Sequence, residues 1–258
     1  MLIVLIAYLL FLFTPILLLI LGAFGETWSN TLLPQGFTLQ WFQQVASDPS
    51  FQRAFTTSLK VVIATAILNL LIGIPLAYAI YSSAKRGVKL AAKIMALLPI
   101  AVPDLVLGFG FILVFSSDTL PWLGSLSLLI AGHVVLTLPY TISTVLADMQ
   151  QRRISMYEQV AASLSASFWV RLKDIVLPLI GTSILSSLLM VTALSIGEFQ
   201  LSNLIAGFLT RTYPVVLLQA FYGATGFACA ATVILLLLAI IASVGSSTTQ
   251  LFSRQKRS

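Results

Sequence analysis

Ser155-Met-Tyr-Glu-Gln-Val-Ala-Ala-Ser-Leu-Ser-Ala-Ser-Phe-Trp-Val-Arg-Leu-Lys-Asp-Ile-Val-Leu-Pro178 is a water-facing amphipathic block set between two long apolar runs. Tyr157, Ala161, Leu164, Phe168 and Leu172 recur at helical spacing and form an apolar stripe. Ser155 followed three residues later by Glu158 has the form of a capping box, so a helix is expected to start near Met156. A stripe of this kind has two readings, a helix lying on lipid headgroups or a helix that docks to a partner.

The runs on either side decide the class. Of the 258 residues 59% are hydrophobic and 9% are charged, with a mean hydropathy of +1.02, far outside the range of soluble globular chains. The composition describes an all-α integral membrane protein. Apolar runs of the length a bilayer demands fall at 2–24, 56–82, 94–116, 125–147, 179–198 and 225–247, which predicts six transmembrane helices. The first run lacks a basic flank and exceeds a signal-peptide core, so it is expected to be a span. Residues 25–55 then form an exterior loop, 56–247 the transmembrane domain with a loop at 148–178, and 248–258 a tail. In the exterior loop Asp48-Pro49 is a turn signal, and Trp28, Trp41 and Phe42 are expected to anchor at the interface.

Basic residues set the orientation. Lys85, Arg86, Lys89, Lys93, Arg152, Arg153, Arg171, Lys173, Arg254, Lys256 and Arg257 fall on one side, and only Arg53, Lys60 and Arg211 on the other. Both termini and the 148–178 loop are therefore expected in the cytoplasm of a multi-pass inner-membrane protein. The net charge of +6 is spread over short flanking loops, which argues against nucleic acid as a partner. Asp148, Arg152 and Arg153 read as solvated charges. The single cysteine, Cys229, sits in an apolar run and allows no internal disulfide or metal site. No phosphate-binding Gly-x-x-x-x-Gly-Lys-Ser/Thr loop, zinc pair or Gly-x-Ser-x-Gly elbow occurs, so no catalytic residue, cofactor or metal is expected. Gly108 and Gly110 read as helix packing. Any energy from ATP has to come from another polypeptide.

Ionisable residues in apolar spans need a reason, since a mid-bilayer charge costs about 2.5 to 3.5 kcal/mol on insertion scales. Asp104 follows Pro99 and Pro103, which break the helix, and its carboxylate is expected to cap the freed amides, with solute contact as the alternative. His133 is a lone ring that bonds a neighbouring backbone or hydroxyl group, or else a ligand. Pro139 should kink its helix. Glu198 after Gly197 reads either as a polar gate residue or as a carboxylate solvated at headgroup level.

The opening block resembles the cytoplasmic Glu-Ala-Ala loop of binding-protein-dependent ABC importer permeases. Gln159, Val160 and Ala161 stand at the Glu-Ala-Ala, Ser165 at the following Gly, Ala166 and Ser167 fit the continuation, and Ile175, Leu177 and Pro178 match its end. At the Gly position a positive φ would leave Ser165 modestly strained unless the turn differs. The Pro99/Pro103 pair resembles the family's third span, where the irregular segment lines the pathway, and Gly197-Glu-Phe199 its acidic signature. The resemblance implies a type I ABC importer permease fold. It also implies a coupling role for residues 157–172 together with Leu177 and Pro178. Its implied partners are two ATP-binding subunits, a second permease chain, a periplasmic binding protein and membrane lipid. Leu33-Pro-Gln-Gly-Phe-Thr-Leu39 and Gly-Glu-Phe look most like the polyamine, aminoethylphosphonate, thiamine, sulfate and iron group. A polyamine or aminoalkylphosphonate is the favoured solute, with iron(III), sulfate or thiamine as alternatives. An ion-gradient transporter is the rival mechanism, with Asp104 its sole plausible ion site.

Overall fold

The computed structural model describes every residue except 29, 30, 32 and 256–258, and leaves aside the side chains of 2, 3 and 241–255. Lys256, Arg257 and the side chain of Arg254, counted above in the basic tail, lie outside the described residues. The first helix, α1, runs Leu2–Phe24 without a charged residue. At 1.5 Å per residue it is about 35 Å long, enough for the hydrocarbon core. Most of it faces outward, with Leu10 62% and Phe11 81% exposed, as a lipid-facing helix requires.

A short helix α2 (Gln40–Ser47) leads into α3 (Pro49–Leu68), so part of the stretch expected as loop is helical. The reason lies in Asp48. Its Oδ1 accepts the N–H groups of Ser50 at 2.8 Å and Phe51 at 3.0 Å, and Pro49 pre-sets the first turn, so what reads as a turn is a helix start. The three aromatics of this stretch also make contacts within the fold. Trp41 donates through Nε1 to the Gly25 carbonyl at 2.8 Å, and Trp28, Trp41 and Phe42 pack against a core of Ala23, Phe51, Tyr213 and Ala230. They turn inward because glycine leaves the room: a Cβ on Gly226 would stand 2.4 Å from Trp41.

α3 passes into a π-helical segment, Asn69–Gly73, and on through α4 (Ile74–Ser82) as one continuous helix of 34 residues. The basic turn follows, then α5 (Arg86–Ala101) and α6 (Asp104–Phe115), which meet at 98°. The predicted third span is thus broken at Val102-Pro103. α7 (Leu126–Gln151) runs through Pro139 as one helix. Beyond it lie α8 (Ile154–Ser163), a single turn α9 (Phe168–Val170), a second π-helical segment Arg171–Val176 and α10 (Leu177–Gly197). Both π segments end just before a proline, Pro75 or Pro178. A proline ring crowds the preceding turn and gives it no N–H, and the widened turn relieves both. The chain closes with α11 (Gln200–Ile205), α12 (Tyr213–Ala220) and α13 (Thr225–Gln255).

Among the described residues four helices are long and apolar enough to cross a bilayer, Val4–Phe24, Pro49–Ser82, Leu126–Gln151 and Phe168–Gly197; α5 and α6 together make a bent fifth, and the sixth predicted run is apolar helix over Thr225–Ile240. Packing divides by level. Ala77, Ile80, Ile142, Met149, Ile154 and Ile180 form a core beside the 148–178 loop. Val61, Leu128, Leu129, Leu201 and Ile205 form another towards the opposite face.

Candidate functional site

Between these two cores lies a cavity of ≈ 420 Å³ lined by Asp104, His133, Thr137, Tyr140, Glu198 and Gln200 among others. Its walls come from α7, α10 and the residues that follow two breaks between helices. Val102 and Pro103 are extended between α5 and α6, and Glu198 is extended between α10 and α11. Non-helical backbone within a membrane is tolerated where it lines a cavity.

Asp104 does not cap. The N-cap of α6 is Pro103, and Asp104 is the first residue inside the helix, one position too late for its carboxylate to reach back over the free amides. It lines the cavity instead, with no hydrogen bond among the described residues. Glu198 holds the capping role: it accepts from Leu201 N at 2.6 Å and Ser202 N at 2.9 Å, and also from the Ser202 hydroxyl. Its side chain is 9% exposed, so the solvated reading is corrected. Gly197 ends α10 and also lines the cavity.

His133 is 1% exposed and sits between two hydroxyls, with Nδ1 2.8 Å from Ser195 Oγ and Nε2 2.9 Å from Ser202 Oγ. The network assigns its Nε2 proton. Ser202 gives its one hydroxyl proton to Glu198, so Nε2–H donates to Ser202. Glu198 Oε2 lies 3.5 Å from Nε2. α11 approaches this closely because a Cβ on Gly132 would meet Leu201 at 2.8 Å and one on Gly108 would meet Leu204 at 2.5 Å. Gly110 faces open space. Pro139 is buried within α7 and lies outside the cavity lining, as does Pro103 at its edge.

The amphipathic block forms α8, α9 and the second π segment. Its helix starts at Ile154, capped by Arg153 in the left-handed region at φ 52° with no side-chain cap. The capping box is absent because both members have partners elsewhere: Ser155 N–H donates to the Tyr81 hydroxyl at 2.9 Å, and Glu158 accepts from the Tyr78 hydroxyl at 2.6 Å. The stripe splits. Tyr157, Leu164 and Phe168 are exposed, Leu164 at 78%, whereas Leu172 packs into the core beside the loop. Met156, Val160 and Trp169 extend the exposed apolar surface. Gln159 is exposed and Ala161 and Ala166 half-buried, with Ala166 N–H closing the turn onto the Ala161 carbonyl at 3.0 Å. Ser165 adopts φ 62°, the left-handed backbone that glycine takes without strain. Leu177 and Pro178 open α10 and are exposed. Asp148 and Arg152 are not freely solvated: they pair at 2.7 Å, and Arg152 also donates to Thr182 at 3.3 Å.

Residues 69–256 match the family of binding-protein-dependent transport system inner membrane components. The chain belongs to that family. The permease is 30% identical over 211 residues, 81% of its length and 78% of the relative's, to a putative 2-aminoethylphosphonate transport system permease protein, PhnV, of Salmonella typhimurium. It is 27% identical over 255 residues, 95% of its length and 90% of the relative's, to the spermidine/putrescine transport system permease protein PotC of Escherichia coli. Its fold matches, with a TM-score of 0.73 at 12% identity over 95% and 93% of the two chains, a chain from the crystal structure of a bacterial ABC transporter involved in alginate import. The permease is thus a non-catalytic, multi-pass component of the inner membrane.

Several residues of the permease cavity escape the sequence reading. Thr137, Tyr140, Ser195 and Gln200 line it, and Asn69, Tyr78 and Tyr81 tie neighbouring helices. One signal was present: His133, Thr137, Tyr140 and Thr141 fall at i, i+4, i+7 and i+8, a polar stripe on an otherwise apolar span.

Proposed function

We propose that this chain is the permease subunit of an ATP-driven importer and forms half of the pathway for a small solute bearing an ammonium group, a polyamine or an aminoalkylphosphonate. One observation carries the solute class: among the described residues the cavity is lined by two carboxylates, Asp104 and Glu198, and by no lysine or arginine. Glu198 is occupied by α11, which leaves Asp104 as the free acceptor for a cation. Tyr140 and Gln200 supply neutral hydrogen-bonding groups beside it. Sulfate has no ammonium group to set against the two carboxylates, Asp104 and Glu198, and is the poorer guest.

The exposed apolar face of α8 and α9 is the docking surface for an ATP-binding subunit. Two such subunits, a second permease chain and a periplasmic binding protein complete the assembly, with both termini and the docking face in the cytoplasm. ATP binding draws the docking helices together and turns the cavity outward to accept solute, and hydrolysis returns it inward. The relatives' names, 2-aminoethylphosphonate and spermidine/putrescine transport, agree with an ammonium-bearing solute.

Uptake of labelled putrescine, 2-aminoethylphosphonate and sulfate by cells expressing the whole system tests this reading. An amine-bearing solute should accumulate, and Asp104→Asn should reduce its uptake about tenfold, the value of one lost charge-assisted contact. Accumulation of sulfate instead, or uptake that continues with hydrolysis-dead ATP-binding subunits, overturns it.

A further inference from the structure

Hydrogen bonds tie α4 to α8, and others tie the π segment that leads into it to α7. At its far end Tyr78 donates to Glu158 at 2.6 Å and Tyr81 accepts from Ser155 N at 2.9 Å, so α8 is held to α4. Glu158 is 8% exposed, turned away from the surface where a partner would sit, and the Phe168 ring lies 6.1 Å from that of Tyr78. At its near end α4 grows out of the π segment that begins at Asn69. Asn69 is fully buried. Its Nδ2 donates to the Thr65 carbonyl and to Thr137 Oγ, both at 2.9 Å, and its Oδ1 accepts from Thr141 at 3.2 Å.

From there the connection continues into the cavity wall. Thr137 Oγ donates to the His133 carbonyl at 2.7 Å, and the His133 ring contacts Ser195 and Ser202, the latter bonded to Glu198. The widened π turn lacks the regular i→i−4 ladder that stiffens an α-helix, and such turns recur where helices bend in function. Gly73 lets the same turn lie against α7, since a Cβ there would meet Thr141 at 2.8 Å.

We infer that α4 is a lever pivoting on the Asn69–Gly73 turn, with Tyr78 and Asn69 as its positioning residues. Displacement of α8 pulls Tyr78 through Glu158, tilts α4, and shifts the Asn69 tie to Thr137, which moves the His133–Glu198 wall of the cavity. The inference rests on the ATP-driven reading above but names the route within this chain.

The test uses the transporter co-purified with its ATP-binding subunits in lipid nanodiscs, with Cys229→Ser and a Leu194→Cys reporter on the cavity lining. The readout is the rate of labelling by a water-soluble maleimide with and without a non-hydrolysable ATP analogue. In the parent the nucleotide should change the rate about fivefold or more, the lower end of ordinary coupling between sites. Tyr78→Phe removes a single oxygen and Asn69→Leu keeps the branched skeleton without its polar atoms. Each should flatten that response while the ATP-binding subunits stay bound and hydrolyse ATP. Glu158→Gln retains an acceptor for Tyr78 and should keep the response, whereas Glu158→Leu should lose it. A full response in Tyr78→Phe overturns the lever alone, as does release of the ATP-binding subunits by that variant, which would make the tyrosine a prop for the docking face. A parent with no nucleotide response overturns the ATP-driven reading and the lever with it.

Discussion

Replacing Glu198 with alanine removes the acceptor of two backbone N–H groups and one hydroxyl at once. A buried donor left without a partner costs about 1 to 3 kcal/mol. The first turn of α11 should therefore open: Glu198→Ala should speed hydrogen exchange at the Leu201 and Ser202 amides and lower the thermal midpoint. Glu198→Gln, which keeps one acceptor oxygen, should fall between. At Ser165 the sign reverses. A left-handed backbone costs a residue with a Cβ about 1 kcal/mol, so Ser165→Gly at φ 62° should raise the thermal midpoint in detergent and Ser165→Val should lower it. The strain was readable because a left-handed φ is a property of one residue and its alignment with a family glycine. The role of Glu198 was not readable, because whether an acid caps or stands free depends on where the chain turns three residues later.

Among the elements, α11 lies deep because α6 and α7 present glycines to it. Gly132→Val places carbon atoms inside the van der Waals envelope of Leu201 and Ile205, and overpacking of this kind costs about 1 to 3 kcal/mol. The variant should unfold earlier and lose solute uptake, since α11 also carries the Glu198 wall, while Gly110→Ala, which meets nothing, should neither lower the unfolding point nor impair uptake. The same level shows what a sequence can convey about elements. Pro99 and Pro103 break the third span as their chemistry requires, because a proline acts on the turn next to it. Pro139, by contrast, leaves α7 unbroken, and Pro75 and Pro178 yield widened turns where a boundary or nothing was expected. Whether proline breaks, bends or widens a helix is decided by the helices packed around it. The capping box failed for the same reason: its members bond to Tyr78 and Tyr81, 80 and 74 residues away, a partnership no local pattern contains.

Across the whole molecule, topology follows from one length. Pro49–Ser82 is a single helix of 34 residues, about 50 Å at 1.5 Å per residue against a hydrocarbon core of about 30 Å. Its ends must emerge on opposite sides, and since Tyr78 and Tyr81 near one end hold α8, the Ser50 end lies across the membrane from the docking face. Leu164 is 78% exposed on that face and stands apart from the hydrophobic core beside the loop, so Leu164→Asp should release the ATP-binding subunits at an unchanged thermal midpoint, checked by co-purification and a melt. The orientation of the pair of faces can be measured without any partner, because the native Cys229 is 4% exposed and should stay silent to an impermeant maleimide. Single cysteines at Ser50 and Ala84, exposed residues beyond the two ends of the membrane-crossing stretch, then report one side each. In cells with a permeabilised outer membrane Ser50→Cys should label and Ala84→Cys should not, and inverted inner-membrane vesicles should give the reverse. The opposite pattern would put α8 outside the cell, away from ATP, and the lysines and arginines around Ala84 would have lost their usual pull towards the cytoplasm.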